Sequence, residues 1–166
     1  MISRMPTPLK LFPLLLGACL LMGKAEKPNI LFIMADDLGW MDLACQGNKL
    51  VETPNLDRMA QDGMRFTDAY AAAPVCSPTR CAVLTGQAPA RIGLTTHLPG
   101  LFFPKDKRPQ PAVLKPQLDT EHVTIAERLK EAGYANAFLG KWHIAPGVAR
   151  GGKVADAVSP QGQGFD

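Results

Sequence analysis

Apolar residues along this chain fall into short runs divided by polar, glycine and proline breaks, and the runs alternate between two periods. Residues 29–35 carry Ile30, Leu31, Phe32, Ile33 and Met34 in unbroken succession, bounded by Pro28 and by Asp36 and Asp37. A run buried on both faces is what a central parallel strand requires, so 29–35 is predicted as the first strand, with the two aspartates at its carboxyl end. Thr53 and Pro54 open the next helix as cap and first residue, Leu56, Met59 and Ala60 form its apolar face, and Gly63 ends it. Residues 65–71, alternating around Phe66 and Tyr70, read as a strand, and a helix follows over 77–85. Thr124 and Glu127 have the spacing of a capping box. They predict a helix through Ala132, with Ile125, Leu129 and Ala132 inward and Gly133 as its stop, followed by a strand over 134–139. Strands alternating with helices predict an α/β fold, a largely parallel sheet sandwiched by helices. Such sheets bind ligands at the carboxyl ends of their strands.

Two stretches lack periodicity. From 97 to 117 the prolines at 99, 104, 109, 111 and 116 break regular structure, and Lys105, Lys107, Arg108 and Lys115 make the stretch basic. It reads as a solvated surface excursion, or as a loop that overhangs a site and selects an anionic guest. Beyond Ala145 the chain is glycine-rich.

The first 25 residues read as an export signal: Arg4 and Lys10 give the positive end, residues 11–22 the apolar core, and Gly23, Lys24 and Ala25 the cleavage region. The apolar run is too short to span a bilayer comfortably. Leu16-Gly17-Ala18-Cys19 also resembles a lipobox, so a lipidated Cys19 is the alternative, and the only route to a membrane. The expected location is periplasmic or extracellular. At 166 residues the chain is long enough for one domain with a substantial core, and its 46% hydrophobic and 20% charged residues make a globular composition. A net charge of +3 with scattered basic residues argues against a nucleic-acid partner.

The candidate chemistry centres on Cys76. Ser77 is placed to cap the helix with its hydroxyl and Pro78 to be its first residue, which puts Cys76 just outside a helix N-terminus. Unpaired N–H groups and the helix dipole favour an anion there, and Arg80, one turn on, adds a planar fork of donors. Asp36 and Asp37 are hard-oxygen donors suited to Ca²⁺ or Mg²⁺, with Gly39 permitting a tight turn. Lys141 and His143, at i and i+2, point to one side of an extended segment, where a lysine holds an anion and a histidine moves a proton. Each has a blander reading: a buried structural cysteine, a solvated aspartate turn, a strand-end lysine in solvent. Cys45 and Cys81 either pair in an oxidising compartment or stay as free, buried thiols.

The run Cys76-x-Pro78-x-Arg80 followed by Val83-Leu84-Thr85-Gly86 resembles the modification signature of the type I sulfatases, in the alkaline phosphatase superfamily. Gly133-Tyr134 with Gly140-Lys141-Trp142-His143 resembles the second signature of that family, departing from its usual form at Asn136 and Leu139 in ways that concern packing. The resemblance implies an alkaline phosphatase-like fold. It also implies that a separate maturation enzyme oxidises Cys76 to formylglycine. A divalent ion, Ca²⁺ with Mg²⁺ as the alternative, would be held by Asp36, Asp37 and residue 76. Catalysis would fall to Cys76, Arg80, Lys141 and His143, cleaving an aryl sulfate or sulfated carbohydrate through a covalent sulfated enzyme. The family's further metal ligands, second histidine and second lysine have no counterparts, so 26–166 is expected to be the N-terminal portion of a catalytic domain, inactive alone. A phosphonate or phosphodiester hydrolase with the same motif, and a truncated binding protein without chemistry, are the competing functions.

Overall fold

In the computed structural model the described residues are 26–99, 113–146 and 155–166. The chain divides into two units, Met1–Met34 and Ala35–Asp166. The export signal, the lipobox and most of the basic loop lie outside the described residues.

In the first unit, residues 26–34 form neither helix nor strand, and Leu31 is 85% exposed. None of the described residues belongs to a β-ladder, so the strands expected at 29–35, 65–71 and 134–139 are not formed here. A strand exists only through the backbone hydrogen bonds of a neighbour. Ile30, Phe32, Phe66, Tyr70 and Leu139 are exposed, so these segments have the composition of buried strands without the neighbours that would bury them.

The second unit holds the helices. α1, Pro54–Asp62, begins and ends where its proline and glycine place it, but Thr53 does not cap it. The Thr53 hydroxyl instead accepts from the Ala44 N–H at 2.9 Å and donates to Asp57 at 2.9 Å, while Asp57 accepts from the Cys45 N–H at 2.8 Å. Thr53, the expected cap, and Asp57 thus tie α1 to the 3-10 turn Ala44–Gln46. Its apolar residues Leu56 and Met59 stay exposed.

α2, Cys76–Thr85, ends at Gly86, whose φ of 66° needs a residue without a Cβ penalty and whose N–H bonds the Ala82 carbonyl. A single helical turn, α3, follows at Pro89–Ile92. α4, Ile125–Glu131, opens with the full capping box: Thr124 Oγ1 accepts from the Glu127 N–H at 3.2 Å and the Glu127 carboxylate accepts from the Thr124 N–H at 2.7 Å. The expected inward face is rotated. Ala126 is buried and Leu129 half-buried, whereas Ile125 and Ala132 are exposed.

Cys81, Ile92, Leu94, Leu98, Leu118 and Ile144 form the core, with Leu84 and Trp142 packed against it. Two of these residues adjoin the candidate site, Cys81 next to Arg80 and Ile144 next to His143. Burial pushes the Cys81 thiol up to about 12. Cys45 and Cys81 are both free, which resolves the open pairing against a disulfide: Cys81 points into the core, and Cys45 sits on the turn beside α1.

The last described segment docks onto the stretch that leads to the site. Trp142 Nε1 donates to the Val158 carbonyl at 2.9 Å, and Phe138, Trp142 and Phe165 meet edge-to-face with centroids 5.0 to 6.0 Å apart. Asn136 is buried and its amide donates to the carbonyls of Ala126 at 2.9 Å and Gly164 at 3.2 Å, so this departure from the family pattern does serve packing. Gly164 has φ 98°, and a Cβ there would stand 2.6 Å from the Glu127 nitrogen. Asn136→Ala leaves the Gly164 carbonyl without that donor, and is expected to cost about 1–3 kcal/mol in thermal or urea unfolding.

Candidate active site

Cys76 is the first residue of α2 rather than the one before it, and Val75 is the N-cap, with no side-chain cap. Ser77 does not cap the helix. It is fully buried, and its Oγ accepts from the Leu98 N–H at 3.0 Å. The Thr79 hydroxyl lies 2.8 Å from the carbonyls of both Ala73 and Val75 and so holds the approach to the helix. Pro78 therefore sits inside the first turn, where its missing N–H removes a donor that lacks an intrahelical partner. The half-buried Cys76 remains at the positive end of the helix, which is the electrostatic part of the expectation.

Three expected site residues meet directly. Arg80 Nη2 is 2.9 Å from Asp36 Oδ1, and Lys141 Nζ is 2.6 Å from Asp36 Oδ2. Arg80 Nη1 also donates to the Lys141 carbonyl. Only 10% of the Arg80 side chain is exposed, and its Nε is buried without a hydrogen-bond partner among the described residues. The hydrogen bond from Lys141, then that from Arg80, holds the Asp36 carboxyl below its usual range. Its hydrogen bond with Asp36 chiefly raises the Lys141 ammonium, with Coulombic support from Cys76 and Asp36 against desolvation and the Arg80 charge. Cys76 thus belongs to the same electrostatic cluster.

The sign of each shift fixes the pH window of the cluster. The contribution of Asp36 is complete above its ordinary value of 3.8 and is lost as pH falls through its lower folded value. The contribution of Lys141 is complete below 10.5 and is lost as pH rises through its higher folded value. In metal-free protein the carboxyl ¹³C resonance of Asp36 is expected to titrate with a midpoint below 3.8, and Lys141→Ala is expected to move that midpoint up.

His143 departs from the expected arrangement. Its φ is 54°, so the segment is not extended at this residue, and the argument from i, i+2 spacing does not apply. Its Nε2 is 2.8 Å from the Leu98 carbonyl, which can only accept, so Nε2 carries a proton and, in the neutral imidazole, Nδ1 holds the lone pair. Nδ1 is buried with no partner among the described residues. Asp37 has φ 58°. Asp37 and His143 are the non-glycine residues with positive φ among the described residues, and both belong to the expected site. Backbone held in this region clusters at functional positions.

The donor chemistry suits a hard cation only in part. Asp36 and Asp37 are carboxylates of the right type. Both oxygens of Asp36 are engaged by cationic side chains, however, and among the described residues no three His, Cys, Asp or Glu side chains gather as a metal-binding group. These residues supply part of a ligand set, short of the six to eight oxygens Ca²⁺ takes.

Cys76 at the helix mouth, with Arg80 and Lys141 sharing the Asp36 carboxylate, gathers cationic donors close to the start of α2. The Sulfatase family model matches residues 28–166. This chain belongs to the sulfatase family. It is 39% identical to the N-acetylgalactosamine-6-O-sulfatase of Bacteroides thetaiotaomicron over 170 residues, covering 95% of this chain and 31% of that protein. It is 41% identical to human arylsulfatase A over 152 residues, 92% of this chain and 27% of that protein. The solved structure of Ps i-CgsB superposes with a TM-score of 0.66 at 35% identity, covering 85% of this chain and 27% of that one. This sulfatase-family chain therefore spans less than a third of the length of these relatives. The likeness to solved sulfatases supports the α/β assignment that the unpaired strand segments do not display by themselves.

Sequence reasoning missed Leu98, which touches the site through its backbone N–H and carbonyl and so leaves no side-chain signal. It also missed Ser77 as a buried acceptor, because a serine at a helix start reads first as a cap.

Proposed function

We propose that this chain carries the nucleophile-bearing part of a sulfuric ester hydrolase. The observation that carries the reading is the Asp36–Arg80–Lys141 cluster beside the helix that begins at Cys76. Membership of the sulfatase family supports it. Formylglycine, formed from Cys76 by a maturation enzyme, would supply a hydrated aldehyde whose hydroxyl attacks sulfur. Asp36 and Asp37, with residue 76, would contribute to holding a divalent ion, Ca²⁺ or alternatively Mg²⁺.

The remaining roles follow from the chain's own side chains. Arg80 is fixed by Asp36 and the Lys141 carbonyl, and its free Nε is a donor for an oxygen on residue 76. The Lys141 ammonium has three donors, of which Asp36 takes one; the others are available to the oxygens of a sulfate group. His143 Nδ1, open and with its lone pair free in the neutral imidazole, would accept a proton from a hydroxyl of residue 76.

The substrate is proposed to be a sulfated carbohydrate. Relatives named N-acetylgalactosamine-6-sulfatases and a neighbouring structure in complex with k-i-k-neocarrahexaose support that class. Aryl sulfates serve as the general alternative substrate. Residues 1–25 are proposed to direct export to the periplasm or beyond the cell, with lipidation at Cys19 as the alternative, and 26–166 to form the N-terminal portion of a catalytic domain that is inactive alone. The test uses the whole gene product that carries this chain, made in a host with the maturation activity. Its kcat/KM on p-nitrophenyl sulfate is expected to exceed that on an aryl phosphodiester at least about 10²-fold. The reverse preference would establish the phosphodiesterase alternative, and no turnover of either would favour a binding role.

A further inference from the structure

We infer that Ser77 is a positioning residue for the catalytic histidine, acting through the backbone of Leu98. This deepens the functional reading above and rests on it. Ser77 occupies a variable place in the motif, between Cys76 and Pro78, and the family resemblance gives it no role. It is fully buried, and its Oγ accepts from the Leu98 N–H at 3.0 Å. The carbonyl of the same residue accepts from His143 Nε2 at 2.8 Å. One buried peptide segment is thus held from the nucleophile helix on one side and holds the imidazole on the other.

Two consequences follow. The carbonyl at Leu98 fixes the imidazole tautomer, which keeps the lone pair on Nδ1. The N–H and the carbonyl of Leu98 lie in successive peptide planes joined at its Cα; with the Leu98 side chain buried in the core, the bond from the N–H to Ser77 removes the remaining freedom of that backbone and so sets where the carbonyl points. The residue that bears the nucleophile and the residue that takes its proton are therefore spaced by a single chain of hydrogen bonds, Ser77 to Leu98 to His143. A side chain directly after residue 76 is well placed for this, since any shift of the helix start is passed to the histidine.

The test is a double-mutant cycle in the full-length, matured protein on p-nitrophenyl sulfate. All rates are referred to the aldehyde content at residue 76, because Ser77 lies inside the maturation motif. Ser77→Ala is expected to lower kcat by about 10- to 10²-fold with KM changed less than about twofold, the loss that misplacement of a catalytic group produces. In a His143→Ala background the same substitution is expected to lower kcat by less than about twofold. Ser77→Thr, which keeps the acceptor, is expected to restore kcat. If Ser77→Ala does not accumulate as folded protein, Ser77→Gly enters the same cycle, since it removes the hydroxyl together with the Cβ and leaves no methyl against the Leu98 N–H. Equal losses in the two backgrounds, or a kcat in Ser77→Ala within about twofold of the parent, would overturn the inference while leaving the sulfatase reading intact. An aldehyde-bearing parent with no turnover would overturn both.

Discussion

Cys76→Ala, introduced into the full-length protein made in a maturing host, is expected to lower kcat on sulfate esters by at least about 10⁴-fold, the scale of losing a nucleophile outright. KM is the less informative quantity, because Arg80 and Lys141 remain to attract the anion. The fold is expected to survive. Cys76 is half-buried at the first position of α2, the core contacts of that helix are made by Cys81 and Leu84, and alanine is a good helix former. Unfolding curves that coincide for parent and variant, alongside the lost turnover, would locate the effect in chemistry. Substantial activity in a well-folded Cys76→Ala protein would mean that another group attacks the ester.

Arg80→Lys is the second large effect, expected at about 10²- to 10³-fold in kcat/KM once corrected for the aldehyde content at residue 76. The charge is kept, so simple attraction of an anion predicts little change. The structure predicts more because the guanidinium is used as a fork: Nη2 binds Asp36, Nη1 binds the Lys141 carbonyl, and Nε is left over in a buried position. A lysine ammonium cannot span those points. The fork that joins Asp36 to the Lys141 carbonyl would be lost, and with it the direct hydrogen bond from α2 to the backbone of Lys141. A loss of less than about fivefold would show that the guanidinium geometry does not matter to the reaction.

How much of this was legible depends on the range of the interaction concerned. The capping box at Thr124 and Glu127 is written in residues three apart, and it formed as read. The end of the second helix at Thr85 and the start of the first at Pro54 are equally local. Thr53 and Ser77 show where local reading fails: each has the chemistry of a cap, but a partner distant in sequence competes for the hydroxyl, Ala44 for one and Leu98 for the other. The segments 29–35, 65–71 and 134–139 have strand composition, yet a ladder depends on neighbours that no single segment encodes. Asp36, Arg80 and Lys141 converge from positions 44 and 105 residues apart, and no periodicity shows that. Motif resemblance named all three, and the structure adds that the carboxylate is shared between the two cations. The positive φ of His143 lay beyond sequence reasoning altogether, since nothing in Lys-Trp-His marks a left-handed residue.

The account turns on residue 76 being the reacting group, and the fraction of protein that carries an aldehyde there tests this most directly. Preparations of the full-length protein made with graded amounts of maturation enzyme would be split between peptide mass spectrometry and a sulfate-release assay. Turnover is expected to rise in proportion to the aldehyde fraction and to extrapolate to zero where residue 76 is wholly thiol. Full sulfatase activity in protein whose Cys76 remains an intact thiol would contradict it.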